Sequence, residues 1–231
     1  MDFSTLKATV VRLLGDTVIS SEGPSGPSGP TITGGTLYPY DLVADSVNAA
    51  LIAITSRQWK NTFVDVPGDN TVFTADVPSD LLEFEGIYDN YYKQFIPKTQ
   101  FTVNGTQFNT WVNAWYIYPS GTITFLNAIQ AGVRIFYSTY WTVLTNDSDV
   151  LETPNFCQNA LTYYAASQCA LSKSGQTASI RQFNTKVDSG TPDDNPLLQQ
   201  SMNFLKRYER EMATIPMMMH NDVYNRTGGP H

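Results

Sequence analysis

The chain has 231 residues, 42% of them hydrophobic and only 15% charged, against about a quarter charged in ordinary globular proteins. Its net charge is −7, and residues 61–149 carry nine acids against three bases, so nearly all of the excess lies in mid-chain. No basic patch is available to neutralise phosphates, which excludes duplex binding of the usual electrostatic kind.

The first section is predicted to be helical. Ser4 can cap a helix whose Leu6, Val10, Leu13 and Leu14 form an apolar stripe. The stretch SEGPSGPSGP follows at residues 21–30. It is too short for a collagen triple helix and reads as a stiff Gly/Pro loop, spanning 21–36, between two helices. The second helix is expected from near Asp41 to about Arg57. Its Val43, Val47, Ala50, Leu51 and Ile54 fall on one face. Ile52 lies on the opposite face, where it is either a lone exposed apolar residue or an oligomer contact.

Residues 61–149 read as strands. Short β-favouring runs (NTFVDV, NTVFTA, LEFEGIYDN, QFTVNGTQF, WVNAWYIYP, GTITFLN, VRIFYSTYW) are separated by turn signals at Pro67-Gly68, Asn104-Gly105 and Pro119-Ser120-Gly121. The section holds 18 of the 29 aromatic residues, enough to core a small sandwich or barrel.

Helix returns after Thr153-Pro154, a cap followed by proline at the first helical position. A helix is predicted to Gly175, with Cys157, Leu161, Tyr164, Ala165, Gln168 and Leu171 on one side and alanines permitting close packing. After a further segment with Ile180, Phe183 and Val187 at helical spacing, Asp193, Asp194 and Pro196 start a last helix. Its expected core stripe is Leu198, Met202, Leu205 and Met212. Residues 214–231 read as an extended tail. The plan is α+β: a helical bundle from residues 1–60 and 150–213, a β-rich sandwich- or barrel-like insertion over 61–149, and the C-terminal tail.

Cys157 and Cys169 lie twelve residues apart on one expected helix, about 18 Å at 1.5 Å per residue and too far for a disulfide within it. Two reduced thiols fit an intracellular place of assembly. No apolar run approaches the length of a membrane span, and the N-terminal residues lack the pattern of a signal peptide.

Catalytic parts are scarce. The two histidines, His220 and His231, fall in the expected tail, and no phosphate loop or zinc-protease motif occurs. NDSDVLE (146–152) alternates oxygen ligands but lacks the glycine and glutamate of a calcium loop. Glu83 and Glu85 would share one face of a strand, as a glycosidase pair or as a solvated face. Trp111, Trp115, Tyr116 and Tyr118 could form a sugar-stacking platform or a buried strand. No catalytic, cofactor-binding or metal-binding residue is assigned, and no enzyme activity is expected. A surface poor in charge and rich in Thr, Asn, Gln and Tyr is either covered by other subunits or β-rich.

The order of these sections resembles the head-to-tail adaptor (connector) proteins of tailed bacteriophages. The helix DLVADSVNAALIAITSRQW carries the family's LxxxLNxAL-like spacing, with Asn48 in place. VPSDLLEFEGIYDN (77–90) is similar to its β-region segment, and NALTYYAASQCALSKSGQTASIRQF with NFLKRYEREM to its closing helices. The resemblance implies a virion protein of the particle neck, assembled in the host cytoplasm as a ring of about twelve copies. Such a ring binds the portal, offers a platform to tail or neck proteins, and passes the genome DNA without specific binding or membrane contact. Carried onto this chain, it implies portal contacts at Ile215, Met217, Met218, Met219 and Tyr224. Methionine suits irregular apolar clefts. The alternative is a carbohydrate- or receptor-binding virion module using the aromatic β section.

Overall fold

The computed structural model describes residues 1–21, 31–96, 115–117, 121–184 and 195–218. They form two compact units, one from Met1–Gln58 and Trp141–Met217, the other built on Trp59–Tyr140. The class is α+β.

The helical unit contains α1 (Phe3–Leu13), the antiparallel strands β1 (Val18–Ser21) and β2 (Thr31–Gly35), and α2 (Tyr40–Ile54). A short 3-10 turn (Asn155–Cys157) then leads into α3 (Gln158–Asn184), and α4 (Pro196–Thr214) completes it. Its core gathers Phe3, Leu6, Val10, Val43, Val47, Leu51, Ile54, Leu161, Ala165, Ala166, Cys169, Phe204 and Met212. α3 forms the centre, contacting α1, α2 and α4. The alanines expected to permit close packing, Ala160, Ala165, Ala166 and Ala170, are all buried.

Several local expectations change. The cap of α1 is Asp2, whose carboxylate accepts from Thr5 N at 2.7 Å, not Ser4. The orphan donors of that first turn are met by a distant segment: Phe3 N donates to Asp149 O (2.9 Å) and Ser4 N to Asp147 O (3.2 Å). The Gly/Pro stretch is flanked by paired strands rather than lying in a loop from 21 to 36; Val18 stands opposite Gly35 and Ser21 opposite Thr31. Residues 22–30 themselves lie outside the described residues. Asp16 holds the base of this hairpin, accepting from Leu37 N (2.7 Å), Tyr38 N (3.1 Å) and the Thr36 hydroxyl. α3 continues through Gly175 instead of breaking there. A single internal glycine costs about 1 kcal/mol against alanine, which a 27-residue helix packed on three others can absorb.

Trp141–Asp149 fall with the helices, not with the β section as expected. Asn48 of α2 explains why: Nδ2 donates to Leu144 O and Oδ1 accepts from Leu144 N, both at 3.0 Å. One side chain thus replaces a strand partner for that residue. Trp141 Nε1 donates to Gln58 O at 2.7 Å, tying together the two passages between the units.

The β unit has a four-stranded antiparallel sheet, in spatial order β3 (Lys60–Val66), β9 (Val133–Thr139), β5 (Glu83–Asp89), β6 (Gln94–Ile96). A three-stranded sheet is ordered β4 (Val72–Asp76), β8 (Thr122–Ile129), β7 (Trp115–Ile117). The inner faces share one core, with Ile87, Ile96, Val133 and Ile135 from the first sheet and Ala75, Ile123, Phe125 and Ile129 from the second. Gly132 turns β8 into β9 with φ +87, and a Cβ there would lie 2.7 Å from Val66 O, so only glycine fits. The run QFTVNGTQF and its Asn104-Gly105 turn lie outside the described residues.

Candidate assembly surfaces

α4 shows most clearly how apolar side chains are displayed. Asn195 caps it, accepting from Leu197 N at 3.1 Å, and Pro196 opens it. Small side chains seat it on α3: Ser201 Oγ donates to Ser167 O at 2.9 Å, and the two hydroxyls lie 3.2 Å apart. Further along, Tyr163 stacks with Phe204 and Tyr164 meets Tyr208 edge-on at 4.9 Å. The buried face therefore follows Ser201, Phe204 and Met212. Of the expected core stripe only Met212 is inside; Leu198, Met202 and Leu205 are exposed, as is Leu171 of α3. Met202 and Leu205 each sit one residue on from a buried one, Ser201 and Phe204, about 100° around the helix. Ile52 of α2 is 56% exposed, on the face the periodicity assigned to it.

The C-terminal segment begins inside the helical unit. Ile215 is 3% exposed and belongs to its core, so this side chain is committed within the chain and is unavailable as the partner contact expected of it. Arg57 Nη1 donates to Ile215 O at 3.3 Å, and Gln58 Nε2 donates to Pro216 O. Beyond that anchor Met217 is 67% exposed and Met218 half-buried. Met219 and Tyr224 lie outside the described residues.

The outer face of the four-stranded sheet carries an aromatic row that the sequence reading did not single out. Phe63 (β3) and Phe136 (β9) have ring centroids 6.0 Å apart, Phe136 and Phe95 (β6) also 6.0 Å, and Tyr88 (β5) meets Phe95 edge-on at 5.4 Å. Phe136 reaches Phe95 across β5 because its partner there is Gly86, which has no side chain. The Arg134 guanidinium lies 4.2 Å from the Phe63 ring centroid and pairs in two-pronged fashion with Asp65. The visible signal was the alternation in NTFVDV and VRIFYSTYW, with Phe63/Asp65 and Arg134/Phe136 at matching steps. Of the expected aromatic platform, Trp111 and Tyr118 lie outside the described residues, while Trp115 and Tyr116 stand on β7 opposite Phe125 and Thr124.

Several titratable groups among the described residues make structural contacts. A bulge between Phe84 and Gly86 makes Glu85 an extra residue, so Glu83 and Glu85 do not share a face by simple alternation. Lys7 is 1% exposed, paired with Asp147 and held over the rings of Tyr40 (3.5 Å) and Phe3 (4.3 Å). In NDSDVLE, Asp147 Oδ1 accepts from Lys7 and Tyr40 and Asp149 accepts from the amides of Thr145 and Asn146, while Asp147 Oδ2 is buried with no hydrogen-bond partner among the described residues. Burial pushes both thiols, Cys157 and Cys169, up to about 11. A cleft of about 570 Å³ in the β unit is lined by Asp65, Asp76 and Asp80, of which Asp65 is held by Arg134 and Asp80 by the Tyr137 hydroxyl. Among the described residues no group of three or more His, Cys, Asp or Glu is placed to hold a metal ion, and no helix is long and apolar enough to cross a membrane.

A buried Lys7–Asp147 pair and apolar side chains turned outward on helix and sheet are what a structural assembly protein would carry. The comparison with known families gives the particular kind: the profile described as SU10 adaptor protein matches residues 1–228, and the chain belongs to that family of phage head-to-tail adaptors. It is a structural component of the virion neck, associated with portal and tail proteins. No curated protein matches the chain.

Proposed function

We propose that the protein works as a ring of about twelve copies that joins the portal to the tail and continues the DNA channel. The observation that supports this best is the pair of exposed apolar sites on the helical unit, Leu198/Met202/Leu205 on α4 and Ile52 on α2. A closed ring is built from heterologous contacts, so each copy needs two different adhesive faces. The net charge of −7 suits a lumen through which DNA passes without adhering. Portal contact is assigned to the residues after the Pro216 anchor, Met217, Met218, Met219 and Tyr224, with Ile215 fixing the point from which they depart.

Copy number per particle, read by cryo-electron microscopy of the neck or by native mass measurement of the portal complex, tests the ring. Ending the chain after Met217 tests the tail, because the bundle keeps Ile215 and its Arg57 and Gln58 bonds. The truncated protein is expected to fold and to lose portal binding; normal docking would refute the assignment.

A further inference from the structure

Clefts on the two units differ in charge. Neither α1 nor α3 contains an acidic residue, although the chain has 21. Between these helices lies a cleft of about 350 Å³, walled by Thr9, Arg12 and Leu13 of α1 and by Asn159, Thr162 and Tyr163 of α3. Arg207 of α4 stands 5.8 Å from the Tyr163 ring centroid, which places a second guanidinium beside the cleft. The hydroxyls of Thr9 and Thr162 already donate to carbonyls of their own helices, Thr5 O and Gln158 O. Arg12 and Asn159 are exposed, and among the described residues neither side chain has a hydrogen-bond or ion-pair partner. The donors left over, a guanidinium and a side-chain amide, suit a carboxylate.

We propose that this cleft receives the acidic rim of the β unit of a neighbouring copy, with Asp76 and Asp80 as the carboxylates. This rests on the ring reading above. Both residues line the cleft of about 570 Å³ described for that unit, where the chain leaves β4. Leu81 N donates to Pro78 O at 3.1 Å, closing a turn on which Ser79 and Asp80 are exposed. Asp76 is exposed too. Among the described residues its side chain has no partner, and Asp80 accepts from the Tyr137 hydroxyl alone. Asp65, the third acid there, is matched by Arg134 and takes no part in the contact. A second copy is the occupant because residues 61–149 hold nine acids against three bases, whereas the helices walling the donor cleft hold no acid. The two patches differ, so the contact is head-to-tail and repeats from copy to copy as a ring requires. Opposed charge of this kind steers copies together and rejects wrong registers.

Charge exchange on the full-length protein, assembled with the portal, tests the contact. Arg12→Glu and Asp76→Arg each set like charges against one another at every junction. Each is expected to lower ring yield about tenfold at low salt, with circular dichroism showing that the fold is kept. Both changes in one chain are expected to restore the ring. An equal mixture of the two single variants is expected to restore it as well, as alternating copies that native mass measurement distinguishes, because only unlike neighbours then present opposite charges. Asn159→Asp stands in for Arg12→Glu, and Asp80→Arg for Asp76→Arg, where the first choice disturbs folding. Normal yield from the single variants, or a loss that neither combination restores, would overturn the contact and leave the ring standing. Recovery in the doubly changed chain but not in the mixture would overturn it in favour of a pairing inside one copy. A full ring of Arg12→Glu that no longer docks would overturn it in favour of an acidic segment of the portal. Unmodified protein bound to the portal in no ring at all would remove both readings.

Discussion

Asp147→Asn is expected to destabilise the helical unit more than Lys7→Met, although both break the same ion pair. Lys7 is 1% exposed and Asp147 22%. Removing the carboxylate's charge leaves an ammonium with almost no access to water, and breaking a buried pair in this way costs about 3–5 kcal/mol. The rings of Tyr40 and Phe3, at 3.5 and 4.3 Å, offset part of that, about 1–2 kcal/mol in total, so a net loss of about 3 kcal/mol is expected. Lys7→Met instead removes the buried charge and keeps the hydrophobic stem. The carboxylate left behind belongs to a side chain that is 22% exposed and retains the Tyr40 hydroxyl on Oδ1 at 3.2 Å, although its Oδ2 is buried without a partner among the described residues, so the loss should be about 1–2 kcal/mol. In urea, with a slope of about 2 kcal/mol/M, the midpoints separate by about 1 M, and circular dichroism at the helix band follows the unit that holds the pair. The double variant should lie close to Lys7→Met. Equal losses, or a larger loss for Lys7→Met, would refute the argument that the lysine is the group unable to reach water.

Asn48→Ala removes both hydrogen bonds to Leu144 and should cost about 1–3 kcal/mol, with amide exchange at Leu144 rising well before global unfolding. Met202→Glu and Ile52→Glu, both on exposed sites, should change stability by less than about 0.5 kcal/mol yet reduce assembly, read by native mass measurement. Cys157 and Cys169, raised to about 11 by burial, should resist alkylation near neutral pH until denaturant is added. For Asp16, burial acts against the charge, but hydrogen bonds from Thr36, Leu37, Thr17 and Tyr38 outweigh it and hold the carboxyl below its ordinary value. Its contribution is therefore complete above the unfolded value of about 4 and is lost as pH falls through the folded one. Amide signals of Leu37 and Tyr38 should weaken in protection across that acid range, and unchanged protection would count against the hairpin-base role.

Much of the architecture was legible from periodicity. The apolar face of α2 and the buried alanines of α3 follow from 3.6-residue spacing, and the β3, β5, β8 and β9 segments from β-branched and aromatic runs between turn signals. What could not be read were the long-range polar contacts that set boundaries. Nothing local marks Asn48 as the partner of Leu144, 96 residues away, so Trp141–Asp149 looked like one more strand region. The α1 cap moved to Asp2 for a similar reason, since the backbone of Asp147 and Asp149 completes that end of the helix. The Glu85 bulge is equally silent in sequence, and it decides which side of the sheet the following residues face.

The misassigned stripe on α4 carries the most weight for function. Periodicity detects an apolar flank but cannot say whether the neighbour covering it belongs to the same chain. With Ser201 and Ser167 drawing the helices together, the row through Phe204 satisfies the intramolecular core, and Leu198, Met202 and Leu205 remain as surplus. A monomeric protein gains nothing from such a surplus and risks aggregation. The β unit shows a similar excess, with Phe63 and Val64 of β3 and Phe95 of β6 left exposed. In both units, then, the sequence supplies more apolar face than its own fold uses, as suits an adaptor associated with portal and tail proteins.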